Sequence, residues 1–319
     1  MQEKEKSRNT EVPLDIDLGK VPPGHKSGFV AVIGRPNVGK STLMNQLLGQ
    51  KIAIVSPKPQ TTRTRIQGIL TRPDAQIIFV DTPGLHRPLH KLGEAMVATA
   101  ASAIPDADVV LFVVDVSVMP TEEDRMIADL IRQRTTKPVI LVLNKMDLLP
   151  PEKVKPHTEA YWDLVPQRAD WMMTIATEGV NLDKLLDQIV RHLPEGPRYY
   201  PGDLVTDQTE REIAAELIRE QVLRFTHEEV PHSVAVVVEE YKERENGGVS
   251  IAATIYVEKE SQKGILIGAG GQMLRRIGTA ARQEIERMVG GKVYLELWVK
   301  VSKNWRRNPA MIRRLGYGR

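Results

Sequence analysis

Gly34-Arg35-Pro36-Asn37-Val38-Gly39-Lys40-Ser41 has the form G-x-x-x-x-G-K-S, a phosphate-binding loop. The pattern requires a buried strand before it and a helix behind it, and both neighbours comply. Phe29 to Ile33 is a continuous apolar, β-rich run, and Thr42 to Leu48 is built mostly of helix formers. Gly34 and Gly39 let the backbone curl until successive N–H groups point inward, and the helix adds the positive end of its dipole. Lys40 then reaches the β- and γ-phosphates of a nucleotide, and the Ser41 hydroxyl takes a place on Mg²⁺. Thr42, at the start of the helix, belongs to the same site.

Further along the chain, Gln76 to Val80 reads as a strand that runs into Asp81-Thr82-Pro83-Gly84. An acid at the carboxyl end of a buried strand beside a phosphate loop holds Mg²⁺, usually through water. Gly84 can bring its N–H against a γ-phosphate because no side chain stands in the way. Between the two motifs lies Ser56-Pro57-Lys58-Pro59-Gln60-Thr61-Thr62-Arg63, a polar run with two prolines and therefore a loop. A flexible loop with a free threonine is where a nucleotide switch ligates Mg²⁺ and senses the γ-phosphate. Thr62 is the first candidate and Thr61 the second; spacing alone does not separate them. Lys40, Thr62 and Gly84 are the residues expected to act in hydrolysis itself. Leu85 stands where many GTPases of this fold place a glutamine that orients the attacking water.

The base is decided by Asn144-Lys145-Met146-Asp147, which follows the apolar strand Val139 to Leu143. Guanine presents N1–H and N2–H₂ side by side, a donor pair that the two oxygens of Asp147 accept together. Adenine has no such pair, so GTP and GDP are the expected ligands and ATP is excluded. Asn144 is expected to support O6 and the neighbouring loops, and the Lys145 stem to cover the base plane. Strands alternating with helices imply an α/β, doubly wound, mostly parallel sheet with the ligand at the strands' carboxyl ends.

Composition bounds the rest. A chain of 319 residues is long enough for two domains. It has no cysteine, which excludes a disulfide framework or a thiolate metal site. No apolar run reaches the ~18 residues of a membrane span, and Met1 to Arg8 has no signal-peptide core, so a cytoplasmic location is expected. The net charge of +3 is unevenly spread: Lys263 to Arg319 carries 13 Lys and Arg against three acids, +10, leaving −7 on the remainder. A basic block of that size points to a polyanion, nucleic acid or a membrane surface, or else is a solvated basic face.

Pro194, Gly196 and Pro197 end the first unit. The division is a flexible tail over 1–26, a nucleotide domain over 27–196, a linker over 197–208 and an α+β domain with a basic C-terminal tail over 209–319. The second domain opens with a capping box, Thr209 to Glu212. Two β-rich runs then flank the Asn246-Gly247-Gly248 turn. A short helix, the loop Gly268-Ala269-Gly270-Gly271, a long helix from Gln272 and an alternating strand from Val293 to Val301 complete it. That order is the order of a type II KH module, whose G-x-x-G loop clamps the backbone of single-stranded RNA. Lys263, Arg275 and Arg276 are the cations placed to help Gly268, Ala269, Gly270 and Gly271 do so.

GRPNVGKS, PQTTR, DTPGL, NKMD and a KH module ending in LELWVKV together resemble the Era family of bacterial ribosome-assembly GTPases, from about residue 28 to the end. The resemblance implies GTP hydrolysis with Mg²⁺ by a monomer that binds the 3′ end of 16S rRNA on the small (30S) subunit. It also implies some peripheral association with the cytoplasmic face of the cell membrane. In related GTPases the asparagine at Asn37 helps hold K⁺ near the β- and γ-phosphates, which would compensate for Leu85. Two positions depart from the family pattern. Ile175-Ala176 stands where Ser-Ala is usual, leaving the Ala176 N–H to serve the guanine, and the G-x-x-G loop lacks its usual lysine. Two functions are compatible with these features: a switch in which hydrolysis resets RNA binding, and an RNA-binding assembly factor whose nucleotide is mainly a structural ligand.

Overall fold

A computed structural model describes residues 19–318 apart from 59, 245 and 246. Most of the expected tail, and Asn246 of the expected hairpin turn, lie outside the described residues. The first domain is built in the order β1 (Lys26–Ile33), α1 (Lys40–Leu48), β2 (Ile66–Thr71), β3 (Ala75–Asp81), α2 (Lys91–Asp106), β4 (Val109–Asp115), α3 (Glu122–Arg134), β5 (Val139–Asn144), α4 (Val154–Leu164), β6 (Asp170–Thr174) and α5 (Leu182–His192). The six strands lie side by side as β2-β3-β1-β4-β5-β6. All pairs are parallel except β2–β3.

The apolar runs follow from this geometry. Every residue of β3, β4 and β5 is buried, because helices cover both faces of the sheet. Val30 and Val32 of β1 pack with Leu43 and Leu47 of α1 and with Leu185 and Ile189 of α5. Ala31 and Ile33 turn the other way, onto Ala100 of α2, Ile127 of α3 and Tyr161 of α4. Strand β1 sits between β3 and β4, so the crossovers leave it in opposite directions. The carboxyl end of β1 is therefore the mouth of a ligand crevice.

Helix α2 has no counterpart in the sequence reading. Gly93 in its first turn and Pro105 in its last interrupt the helical pattern, and its N-terminus is capped by His90, whose Nδ1 accepts from Gly93 N at 3.1 Å. The capping box expected at Thr209–Glu212 forms with both reciprocal bonds, and the Thr-x-x-Asp pattern at Thr121–Asp124 makes a second one that opens α3.

The second domain contains α6 (Glu210–Phe225), α7 (Val230–Ser233), β7 (Ala235–Glu243), β8 (Val249–Val257), α8 (Glu260–Ile267), α9 (Gln272–Val289), β9 (Val293–Val301) and α10 (Pro309–Arg314). Strands β7 and β8 are antiparallel, and β8 and β9 are parallel. A parallel pair needs a crossover, and here it consists of α8, the glycine loop and α9. Ile218 of α6 and Ile277, Ala281 and Ile285 of α9 bury one face of this three-stranded sheet. The architecture is a doubly wound α/β domain with the phosphate loop at the end of β1, followed by an α+β domain with the element order expected of a type II KH module.

Two segments differ from expectation. The 197–208 linker is a docked strap. Gln76 of β3 accepts from Tyr199 N and Tyr200 N and donates to Tyr200 O, and Val205 O accepts from Ile69 N at the β2 edge. The basic C-terminal tail is folded into the seam between the domains. Trp305, Ile312, Leu315 and Tyr317 pack with Leu92 and Met96 of α2 and Ala235 of β7, and Trp305 Nε1 donates to Ser233 O at 2.8 Å. Among the described residues no helix is long and apolar enough to cross a membrane.

Candidate nucleotide site and nucleic-acid interface

The phosphate loop closes the crevice at the end of β1. Gly39 has φ +101°, and a Cβ there would lie 2.4 Å from Asn144 Nδ2, so both conformation and space demand glycine. No side chain caps α1, which leaves the first-turn N–H groups for an anion. Gly84 faces the loop from the opposite wall; a Cβ there would stand 2.7 Å from the backbone of Pro36. Lys40 is buried and donates from Nζ to Gly34 O at 3.1 Å and Arg35 O at 2.9 Å. Burial pulls its pKa down to about 8, against the opposing pull of the Asp81 carboxylate. Burial likewise pushes the Asp81 carboxyl up, opposed by Lys40 and by the Ser41 and Thr62 hydroxyls.

Three oxygens meet beside Lys40. Ser41 Oγ donates to Asp81 Oδ2 at 2.6 Å, Thr62 Oγ1 donates to the same oxygen at 3.2 Å, and the two hydroxyls are 2.9 Å apart. The other carboxylate oxygen, Asp81 Oδ1, is buried with no partner among the described residues. Hydroxyls and an unsatisfied carboxylate oxygen are a hard-ligand set that fits Mg²⁺, which keeps several waters and phosphate oxygens in its shell. The same geometry separates the two threonines. The Thr61 hydroxyl donates to Lys58 O at 2.7 Å within its own loop, whereas Thr62 is buried against Ser41.

Several motif residues contribute their backbone alone. Arg35 turns away from the phosphates to pair with buried Asp124 of α3 at 3.4 Å. Val38 is buried in the core, and its carbonyl accepts from Asn144 Nδ2 at 2.8 Å. The Thr82 hydroxyl donates to Val32 O at 2.9 Å. Pro83 is buried beside it. Leu85 is fully buried against α2 and α3, and its N–H donates to Gly34 O at 3.1 Å.

The base pocket is lined by Asn37, Asn144, Lys145, Asp147, Ile175 and Ala176. Asn144 braces the neighbouring loops, as expected of it. Its Oδ1 accepts from Thr174 Oγ1 and Ala176 N, both at 3.0 Å, while its amide holds Val38. The Ala176 N–H expected to serve the guanine is thus engaged by Asn144. Lys145 has φ +65° and is held by Asp115 at 2.6 Å. Asp115 is partly desolvated, but hydrogen bonds from Lys145 and Ser117 outweigh that and keep its pKa below the usual carboxylate value. Asp147 is exposed on the following turn, and no described residue pairs with its carboxylate.

The switch loop is seated directly in the KH domain, which sequence reasoning missed. Arg63, next to Thr62, is buried and donates to Val234 O, to Pro231 O at 3.2 Å and to His232 O at 3.3 Å. Arg219 of α6, also buried, reaches back to Thr61 O and pairs with Glu216. Glu220 accepts from Val55 N at 3.0 Å and pairs with Lys51 at 2.6 Å, and Ile54 lies in the KH core. No local pattern announces a buried arginine whose partners are carbonyls about 170 residues away.

In the KH domain Gly268, Gly270 and Gly271 all take positive φ, and a Cβ on Gly268 would meet Met273 at 2.8 Å. Gly271 opens α9 with no side-chain cap. A groove between α9 and β9 is lined by Gly271, Arg275, Gly278, Arg282, Tyr294 and Leu297. Arg276 lies instead over the Phe225 ring at 4.3 Å, on the α6 side. Arg282 is the cation missed; its seven-residue spacing from Arg275 puts both on one helix face. Lys263 sits on α8, half-buried and about one turn before the glycine loop.

The chain matches the model of a 50S ribosome-binding GTPase family over residues 29–145 and that of a KH domain over residues 229–306. GTPase Era of Heliobacterium modesticaldum is 51% identical over 292 residues, covering 92% of this chain and 97% of the relative. GTPase Era of Nostoc sp. is 53% identical over 305 residues, covering 95% and 93%. The crystal structure of Era with MgGDPNP and nucleotides 1506–1542 of 16S ribosomal RNA superposes with a TM-score of 0.88 at 43% identity, over 92% of this chain and 99% of that one. An Aquifex aeolicus Era variant bound to GDP and aluminium fluoride gives 0.87 at 43%, over 91% and 99%. Both domains, their order and nearly the full length of these relatives agree with the geometry above, and the chain is a GTPase of the Era family.

Proposed function

We propose that this GTPase is a switch in maturation of the small ribosomal subunit, binding the 3′ end of 16S rRNA through the α9–β9 groove and ending that binding on hydrolysis. The observation that carries the reading is the seating of the nucleotide-sensing loop, through Arg63 and Thr61, in the domain that carries the groove. Lys40 neutralises the β- and γ-phosphates, and the Gly84 N–H faces the γ-phosphate position. Ser41, Thr62 and Asp81 would hold Mg²⁺, which when bound bridges phosphate oxygens and neutralises developing charge. The relative solved with rRNA nucleotides supports the RNA class. The test is a titration of a 16S 3′-end oligonucleotide with full-length protein loaded with a non-hydrolysable GTP analogue or with GDP. Tighter binding with the analogue is expected; equal binding in both states rejects the switch.

Salt dependence checks where the strand runs. Ala269→Lys adds one cation to the loop and should steepen the slope of log affinity against log salt by about 0.7, the single-strand value per phosphate. Arg275→Ala with Arg282→Ala should flatten it by about 1.4, twice that value. Arg276→Ala, stacked on Phe225, should leave it unchanged. Coincident slopes for all variants would place the RNA elsewhere.

K⁺ is part of the same proposal. Asn37 lines the phosphate pocket and donates from Nδ2 to Pro57 O of the switch loop at 2.9 Å. Its own amide oxygen and that carbonyl are ligands of the kind a potassium ion takes. Hydrolysis is expected to run faster in potassium than in sodium chloride, and Asn37→Ala should erase the difference. Equal rates in the two salts for the parent reject the ion's role.

A further inference from the structure

Hydrolysis of GTP needs a water held in line with the γ-phosphorus, and the residue that orients it in many GTPases of this fold is Leu85 here. Leu85 is fully buried against α2 and α3, so the water must be held from another direction. The phosphate pocket is lined by Lys40, Ser41, Thr62, Gly84 and Gln60. The Ser41 and Thr62 hydroxyls are engaged with Asp81 and the Asn37 amide donates to Pro57 O, whereas Gln60 offers a neutral amide with a donor and an acceptor on separate atoms at its tip. It sits two residues before Thr62 with φ +62°, a left-handed conformation that a glutamine rarely adopts and that concentrates at functional sites.

The hydrogen bonds around Gln60 fix which end of its amide is free. His86 Nδ1 lies 2.8 Å from Gly84 O, and a carbonyl can only accept, so Nδ1 carries the proton. In that tautomer Nε2 presents a lone pair, and Gln60 Nε2 donates to it at 3.1 Å. The chain Gln60 N–H to His86 to Gly84 C=O leaves Gln60 Oε1 unused, and the backbone that anchors the chain belongs to the glycine facing the γ-phosphate. We infer that Gln60 accepts a hydrogen bond from the attacking water through Oε1 and that His86 is its positioning residue. In the step itself the water oxygen bonds the γ-phosphorus, the bond to the β–γ bridging oxygen breaks, and the water proton leaves with inorganic phosphate. Gln60 orients and is not consumed. Because Gln60 rides on the loop that carries Thr62, the water is held only when that loop is closed, which couples chemistry to the switch.

The inference deepens the hydrolysis of the established family, and its test separates the two. Single-turnover GTP hydrolysis and fluorescent-nucleotide affinity are measured on the full chain for the parent, Gln60→Ala, His86→Ala and the double variant. The parent rate tests hydrolysis. Gln60→Ala should slow the chemical step about 100-fold while nucleotide affinity stays within about twofold of the parent. His86→Ala should slow the parent about tenfold yet change nothing in the Gln60→Ala background, the mark of a residue acting through another. A hydrolysing parent with an equally fast Gln60→Ala variant overturns the inference. So does Gln60→Ala losing nucleotide affinity in step with rate. A His86→Ala effect of equal size in both backgrounds removes its positioning role.

Discussion

Asp147→Asn is expected to weaken GTP binding by about 30- to 700-fold, the equivalent of a loss of about 2–4 kcal/mol at roughly 1.4 kcal/mol per decade. The carboxylate is exposed on the turn after β5 with no partner among the described residues, so both oxygens are free to accept the guanine donor pair. Its aim is set by neighbours that the substitution leaves intact. Lys145 is tied to Asp115 at 2.6 Å, and Asn144 ties the strand end to the phosphate loop and to Ala176. An asparagine keeps the shape but replaces one acceptor with a donor and removes the charge. Xanthine carries a carbonyl where guanine has its amine, so the same variant should bind xanthosine triphosphate better than the parent does. Titrating both nucleotides into both proteins checks this. Unchanged GTP affinity in the variant would mean that the base is not read by Asp147.

What could be read in the chain was local. The phosphate loop, the Asp81 and Asp147 motifs and the two capping boxes each lie within a few consecutive residues, and the structure brings the three motifs to one crevice and forms both boxes. The buried strands were legible because residues covered on both faces are nearly all apolar, the exceptions being Gln76 and the strand-end residues Asp81, Asp115 and Asn144. What escaped depends on distant partners. The motif predicts that Asn144 supports the neighbouring loops, but which loops could not be read: one amide N–H goes to Val38 of the phosphate loop and its oxygen accepts from Thr174 and Ala176. The C-terminal block reads as a basic tail because Arg306, Arg307, Arg313 and Arg314 dominate it. The buried residues are Trp305, Ile312, Leu315 and Tyr317, set among those arginines and matched to α2 more than 200 residues earlier. The placement of Arg276 and Arg282 escaped for the same reason: Arg282 lines the groove and Arg276 lies over Phe225. Only the position of Phe225 on α6 decides which arginine faces the groove.

Arg63→Ala is expected to abolish the dependence of RNA affinity on the bound nucleotide. Arg63 directly follows Thr62 in the chain, and its guanidinium fills a socket of three carbonyls at α7 and the residue before β7. Burial pushes its pKa down, helped by nearby Arg219 and opposed by Tyr317, whose ring centroid lies 5.8 Å from the guanidinium carbon. A buried cation in that setting depends on the carbonyls that its two terminal nitrogens reach. Truncation leaves three carbonyls facing an empty socket and should cost about 3–5 kcal/mol of the domain seam's stability. Arg63→Lys keeps a charge but not the planar fork that spans several acceptors, so it should recover only part of the loss. The functional consequence follows from the order of the chain. With Thr62 held at Ser41 and Asp81, Arg63 reaches the KH domain; the proposed switch requires that a departing Thr62 draw Arg63 with it. Without the guanidinium the loop can still close on the nucleotide, but the KH domain no longer registers it. The ratio of RNA affinities with the GTP analogue and with GDP should therefore fall to about 1 in Arg63→Ala, while GTP affinity is largely kept. A ratio equal to the parent's would show that the domains communicate through the Arg219–Thr61 and Glu220–Val55 bonds instead, and that Arg63 only holds the seam together.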